Sequence, residues 1–153
     1  MISKATLVFF FLTMLNSRLL FGSDRNFKDG KPASGFQYDS GAAWAIICKK
    51  TPYGPIPGKL DGRGGAYYPW GGRETVCSDY DIMSGTLVYY TEPLPAGCKP
   101  QGYQSNDHQG YYNAIIVSKH GYVPGKTDSR RRNAWYPWGT QEHHVRSNFY
   151  IIC

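Results

Sequence analysis

The most informative part of the sequence is Pro57-Gly58-Lys59 followed by Tyr67-Tyr68-Pro69-Trp70-Gly71-Gly72-Arg73-Glu74. The same kinds of residue return in the same order as Pro124-Gly125-Lys126 and Trp135-Tyr136-Pro137-Trp138-Gly139-Thr140-Gln141-Glu142. The two lysines stand 67 positions apart and Tyr68 and Tyr136 stand 68 apart, so one inserted residue relates the two stretches. This self-similarity indicates a tandem duplication, with a first copy at residues 24–83 and a second at 84–153.

Residues 1–23 have the pattern of a secretory signal peptide. Lys4 supplies a positive charge, and Leu7 to Leu15 is an apolar run too short to span a bilayer, which takes about 20 residues. Loss of Lys4 and Arg18 with this leader would lower the formal net charge from +6 to about +4. We therefore expect a secreted, extracellular protein without stable membrane insertion, and so mild a charge predicts no nucleic-acid partner.

The chain has four cysteines, Cys48, Cys77, Cys98 and Cys153. An even number in a secreted chain predicts two disulfides, and the spacings fit no zinc-binding pattern. All three ways of pairing the four cysteines remain open from the sequence.

Short β-prone runs between turn residues predict an all-β fold. Trp44 to Cys48 and Ala114 to Val117 are equivalent apolar runs in the two copies, and three further runs of four to six residues read as strands. Those three runs are Tyr80 to Met83, Thr86 to Tyr90 and Phe149 to Ile152. We expect two similar sheets facing each other about a pseudo-two-fold axis, as an antiparallel sandwich or barrel-like domain with Ile, Val and Trp in its core.

Each copy also carries a set of side chains suited to a polyol. A carboxylate accepts from a sugar hydroxyl, an ammonium donates to the same oxygen, and a flat aromatic face suits the C–H side of a pyranose. Tyr68 and Tyr136 are expected to add further aromatic faces. The predicted ligand-binding residues are Asp39, Lys59, Glu74, Trp70, Asp107, Lys126, Glu142 and Trp138. The expected partners are glycans, bound with avidity through two sites, with a homodimer as a further arrangement.

The same residues also have simpler structural interpretations that do not involve a sugar. Pro-Gly-Lys can be a tight turn with a solvated lysine, the two tryptophans can pack across the interface between copies, and the two glutamates can cap backbone amides. Arg130-Arg131-Arg132 could hold an anion, but such a run in a turn is usually solvated. His143 and His144 are adjacent, so on a strand they point to opposite faces and do not share one metal simply.

No nucleophile elbow, phosphate loop, metal motif or cofactor motif is present in the sequence, and we expect a protein that is not an enzyme. Two alternatives remain open. One is a structural or extracellular interaction protein that binds no sugar, and the other is a glycoside hydrolase that uses a carboxylate pair.

The ordered pattern in both copies resembles the DM nine repeat family of invertebrate proteins over nearly all of the mature chain. That family's repeat contains an Asp-containing turn, a strand, Pro-Gly-Lys and a Tyr-x-x-Gly-Gly-x-Glu loop. The chain departs from it at Cys48-Lys49-Lys50 and Ser118-Lys119-His120, which replace Gly-Arg-Ala, and at Gly139-Thr140, which replaces the second Gly-Gly.

The resemblance implies a two-repeat all-β fold, binding of mannose-type sugars and a role in innate immunity, in the recognition of microbes or parasites. It implies sugar contacts for the turn aspartates, the Pro-Gly-Lys lysines and the loop glutamates.

Overall fold

The computed structural model describes residues 34–153, which lie in one compact unit and form thirteen β-strands and no helix. The strands are β1 Ser34–Gln37, β2 Gly41–Cys48, β3 Ile56–Leu60, β4 Ala66–Trp70, β5 Arg73–Val76, β6 Tyr80–Ile82, β7 Leu87–Tyr89, β8 Gly102–Gln104, β9 Gln109–Ser118, β10 Gly121–Asp128, β11 Ala134–Trp138, β12 Gln141–Val145 and β13 Phe149–Ile152. The predicted all-β class is confirmed. The predicted signal peptide and the start of the first copy lie outside the described residues.

Eight strands close into one antiparallel barrel. Their order is β1-β2-β3-β4-β5-β12-β11-β10, and β10 returns to β1 through the pairs Phe36–Tyr122 and Gln37–Gly121. Outside this circuit, β9 pairs with β10, β6 with β2, β8 and β13 with β9, and β7 with β13. The barrel is one continuous sheet rather than two facing sheets, because β5 joins β12 at Arg73–Gln141. Closure leaves the eight-strand circuit itself without a terminal edge strand.

The two halves of the barrel use the same strand register. Lys59 pairs with Tyr67 as Lys126 pairs with Trp135, and Pro69 pairs with Glu74 as Pro137 pairs with Glu142. Among the strands outside the eight-strand circuit, β6 pairs with β2 in the same way that β13 pairs with β9. A duplicated unit predicts such matched contacts, and the duplication itself stays a prediction.

The Pro-Gly-Lys segments lie inside strands β3 and β10, so the tight-turn interpretation is wrong. β9 covers one edge of β10 along its whole length, while β1 pairs with residues 121–122 of the other edge and β11 with residues 126–127. Pro124 falls in the gap between β1 and β11, where that edge has no partner strand. A proline without an N–H is therefore tolerated at this position.

The glycine of each segment permits close strand crossing. A Cβ on Gly58 would lie 2.1 Å from the carbonyl oxygen of Tyr67, and one on Gly125 would lie 2.1 Å from that of Trp135. Only glycine leaves room for the neighbouring backbone at that distance.

The long strands exceed the predicted four to six residues. β2 and β10 have 8 residues each and β9 has 10, because pairing continues through polar and glycine positions beyond the apolar runs. Each half has its own core cluster, around Ile46 and Ile56 in the first and around Ile116 and Phe149 in the second. Trp44, the tryptophan of the paired apolar runs that was predicted in the core, is only partly buried. Trp70 and Trp138 are partly buried as well, and each packs against one of the two core clusters.

Two disulfides join Cys48 to Cys77 and Cys98 to Cys153, which settles the connectivity that the sequence left open. Each lies within one of the two predicted copies. Among residues 34–153, no helix has the length and apolar character needed to cross a membrane.

Candidate functional site

The ammonium of Lys59 is buried beside a carboxylate and beneath an aromatic ring. Its side chain is 3% exposed, and Nζ lies 3.5 Å from Oε2 of Glu74. The same nitrogen lies 4.7 Å from the ring centroid of Trp138 and 5.9 Å from that of Tyr67. The aromatic faces attract the cation electrostatically, and the carboxylate compensates its charge.

The second half repeats this arrangement around Lys126. Its Nζ lies 3.5 Å from Oε2 of Glu142, with a side chain that is 4% exposed. The ring centroids of Trp70, Tyr111 and Trp135 lie 5.2, 5.4 and 5.6 Å from it. Lys126 also donates to the backbone oxygen of Pro69 at 2.8 Å and to Oε1 of Gln104.

The tryptophans are exchanged between the halves. Trp138 of the second half covers Lys59 of the first, and Trp70 of the first half covers Lys126 of the second. Each candidate site is therefore built from both halves rather than from one copy. The sequence also predicted faces from Tyr68 and Tyr136, but these are only 5% and 4% exposed and belong to the core clusters.

The glutamates hold the two halves together as well as pairing with the lysines. Oε1 of Glu74 accepts from the Thr140 amide at 2.9 Å, and Oε1 of Glu142 accepts from the Gly72 amide at 2.9 Å. The backbones of the same residues are joined by bonds of 3.1 Å, Glu74 to Thr140, and 3.0 Å, Glu142 to Gly72. Capping of backbone amides, the simpler role considered for these glutamates, is therefore observed, and Oε2 of each faces an ammonium.

Burial dominates the acid–base properties of both lysines. It lowers the pKa of Lys126 to about 8, against the opposing influence of Glu142 and Asp107. Burial also lowers the pKa of Lys59, and the carboxylates of Glu74, Asp61 and Asp39 oppose it. An ammonium in such surroundings makes stronger hydrogen bonds than it makes in water.

The two turn aspartates do not form ion pairs with these lysines. Asp39 is exposed, and its Oδ2 lies 3.7 Å from the guanidinium of Arg63. Asp107 accepts a 2.6 Å hydrogen bond from the hydroxyl of Tyr111. The structure thus brings lysine, glutamate and tryptophan into contact, while each aspartate acts on its lysine only electrostatically, from further away.

Sequence reasoning missed the residues that stack on the tryptophans. Tyr53 stacks on Trp70 with ring centroids 3.9 Å apart, and His120 stacks on Trp138 at 4.2 Å. Both residues stand four positions before the proline of Pro-Gly-Lys, a shared spacing that the sequence contains. Burial lowers the pKa of His120, and the nearby charges of His143, Lys119 and Lys59 lower it further.

The arginine run and the two adjacent histidines, which the sequence also raised as candidate binding groups, make contacts within the fold. Arg131, in the turn between β10 and β11, donates to the backbone oxygens of Tyr90 and Glu92 at 3.1 and 2.7 Å. His143 stacks on Tyr136 and His144 on Trp135, so the two rings diverge as strand alternation predicts. Residues 34–153 contain no cluster of three or more His, Cys, Asp or Glu side chains arranged to hold a metal ion.

No protein-family model matches the chain, and no curated protein matches it. The resemblance to DM nine repeats stays a prediction from the motifs.

Proposed function

We propose that the protein is a secreted carbohydrate-recognition protein of lectin type that binds mannose-type glycans. One observation carries this proposal: a buried lysine–glutamate pair beneath a tryptophan ring, formed in both halves with the same 3.5 Å separation. The two disulfides are compatible with an extracellular protein.

The chemistry of the pair fits a sugar hydroxyl. Such a hydroxyl accepts a hydrogen bond from the ammonium and donates one to the carboxylate, so a single ligand group satisfies both partners. Each glutamate keeps 12% of its side chain exposed, against 3% and 4% for the lysines, so the glutamate is the more accessible member of each pair. The tryptophan of each set is already stacked, Trp138 on His120 and Trp70 on Tyr53, so it helps to shield the ammonium from water rather than presenting a free face to the sugar.

A role in innate recognition of microbes or parasites belongs to the same proposal and follows from the resemblance to DM nine proteins. Recognition of a repetitive glycan surface is favoured by two sets of residues in one chain, since linked weak sites gain affinity through avidity.

The proposal is tested by glycan-array binding of the wild-type protein and of the double variant Glu74→Gln/Glu142→Gln. Glutamine keeps an oxygen that accepts from the Thr140 and Gly72 amides but removes the charge from the pair. We expect at least about a tenfold loss of binding to mannose-type glycans, since charge-assisted hydrogen bonds contribute about 1.5–3 kcal/mol.

Glu92→Gln is the matched control, because it makes the same chemical change in an exposed loop away from both lysines. Unchanged glycan binding by a folded double variant would contradict the proposal. Release of reducing sugar would instead favour the hydrolase alternative, and a wild-type protein that neither binds nor cleaves glycans would favour the structural role.

A further inference from the structure

The two lysines differ in how their hydrogen bonds are satisfied. An ammonium has three N–H donors. Lys126 directs them to Glu142, the Pro69 oxygen and Gln104, all within the chain. Lys59 is just as buried, yet among the described residues its only polar partner is Glu74 at 3.5 Å.

A buried glutamine in the first half, Gln37, has a side-chain oxygen that accepts no hydrogen bond within residues 34–153. Gln37 ends β1 and pairs with the first residue of β2, as Gln104 ends β8 and pairs with the first residue of β9. Both are buried, at 2% and 4% exposure. Oε1 of Gln104 accepts from Lys126, but Oε1 of Gln37 has no hydrogen-bond partner within residues 34–153.

A series of contacts links Gln37 to Lys59. Gln37 pairs with Gly121, the neighbour of His120, and the His120 ring stacks on Trp138, which covers Lys59. Its amide nitrogen is already used, because Nε2 donates to the Ser40 hydroxyl at 2.7 Å. The carbonyl oxygen therefore remains as a buried acceptor.

Unpaired buried donors and acceptors raise the free energy of a folded protein, and they are normally satisfied. A ligand hydroxyl can accept from Lys59 and donate to Gln37, since it carries both functions on one oxygen. The same hydroxyl would have to displace bonds within the chain to reach Lys126.

We infer that the Lys59 half holds the one sugar-binding site of each chain, with Gln37 as a further ligand-contacting residue. The equivalent residues around Lys126 have a structural role and bind no sugar, because Gln104 and the Pro69 oxygen already accept hydrogen bonds from this lysine. This inference rests on the proposed function and narrows it from two sites to one.

The wild-type protein is titrated with methyl α-D-mannopyranoside by calorimetry and by NMR of the tryptophan indole N–H signals. We expect a stoichiometry of one, with the Trp138 signal shifting on binding and the Trp70 signal unmoved. Assignment of these signals comes from Trp70→Phe and Trp138→Phe variants. A stoichiometry of two, or equal shifts of both signals, would overturn the inference and leave sugar recognition standing.

A pair of variants tests Gln37 itself. Gln37→Leu should weaken sugar binding about tenfold and leave the Tm close to wild type, since the lost Ser40 bond is offset by removal of an unpaired buried oxygen. Gln104→Leu should lower the Tm by roughly 5 °C, because it removes one of the three acceptors of the buried Lys126 ammonium.

Equal Tm losses in the two variants would mean that Gln37 is bonded within the fold, and this would overturn the inference without any ligand. Unchanged sugar affinity in Gln37→Leu would overturn it as well. Failure of the wild type to bind any mannoside would remove the proposed function, and the inference with it.

Discussion

At the scale of single residues, the fold buries two ammonium groups, those of Lys59 and Lys126. An isolated buried charge is strongly disfavoured, so each lysine requires its glutamate and the surrounding aromatic faces. The sequence indicated which lysines and glutamates belong together, because both motifs keep the same order. Their burial was not predicted, since a lysine after Pro-Gly reads as a solvated turn residue.

The lowered pKa of Lys126, about 8, predicts how stability depends on pH. The folded chain releases this proton near pH 8 and the unfolded chain near 10.5, so between these values the unfolded state binds more protons. The free energy of unfolding should therefore rise with pH across this window, by up to about 1.4 kcal/mol per unit, and the contribution is lost as the pH falls to 8.

Urea denaturation at pH 8.0, 8.5, 9.0 and 9.5 measures this slope. Lys126→Met keeps most of the apolar stem and removes the titrating group, so its slope should be smaller, with the remainder due to Lys59, whose pKa is also lowered. Equal slopes in the wild type and in Lys126→Met would contradict the assignment to Lys126.

At the scale of strands, the sequence predicted the apolar elements and missed the ones that carry the site. Trp44 to Cys48 and Phe149 to Ile152 lie in strands as expected. β3 and β10 were not predicted, because Pro57-Gly58 and Pro124-Gly125 are typical turn dipeptides. The proline is tolerated because it lies in a gap in edge pairing, and the glycine is needed because a neighbouring strand crosses closely. Local strand propensity reveals neither of these tertiary contacts.

Gly58→Ala should destabilise the protein by about 3 kcal/mol, because the new Cβ would lie 2.1 Å from the Tyr67 oxygen and the strands would have to separate. Gly125→Ala should cost a similar amount against the Trp135 oxygen. Thermal and urea unfolding of the two variants measure these losses.

Gly64→Ala serves as the comparison for these variants. Gly64 has a φ of +90° and no atom within 4 Å of an added Cβ, so only backbone strain opposes the alanine, and a loss of about 1–2 kcal/mol is expected. If Gly58→Ala lowered the stability no more than Gly64→Ala does, the close contact between Gly58 and the Tyr67 oxygen would not be an important constraint on the fold.

At the scale of the whole molecule, closure of the barrel and the two disulfides decide which distant segments meet. The Cys98–Cys153 bridge ties the segment between β7 and β8 to the end of the chain. β13 does not depend on this bridge for its position, because it pairs with β9 and β7 and buries Phe149, Ile151 and Ile152 completely.

Replacing this bridge with Cys98→Ala/Cys153→Ala should lower the free energy of unfolding by about 4 kcal/mol through loop-closure entropy. Hydrogen exchange followed by mass spectrometry should show faster exchange in residues 91–101, while amides of β13 stay protected. Cys48→Ala/Cys77→Ala is the comparison, since its bridge closes a loop in the other half. Loss of β13 protection together with residues 91–101 would mean that the disulfide, rather than strand pairing, holds the end of the chain.

The all-β class could be inferred from the amino-acid sequence alone, as could the paired Pro-Gly-Lys and aromatic-Pro-Trp motifs and the presence of lysine, glutamate and tryptophan in both halves. These follow from local composition and from internal similarity, which short segments carry on their own. Three features required the three-dimensional structure: the cysteine pairing, the closure of one sheet, and the placement of Trp138 over Lys59 and Trp70 over Lys126. Strand propensity acts over a few neighbouring residues, whereas the partner of a strand or of an aromatic ring depends on contacts between residues far apart in the chain.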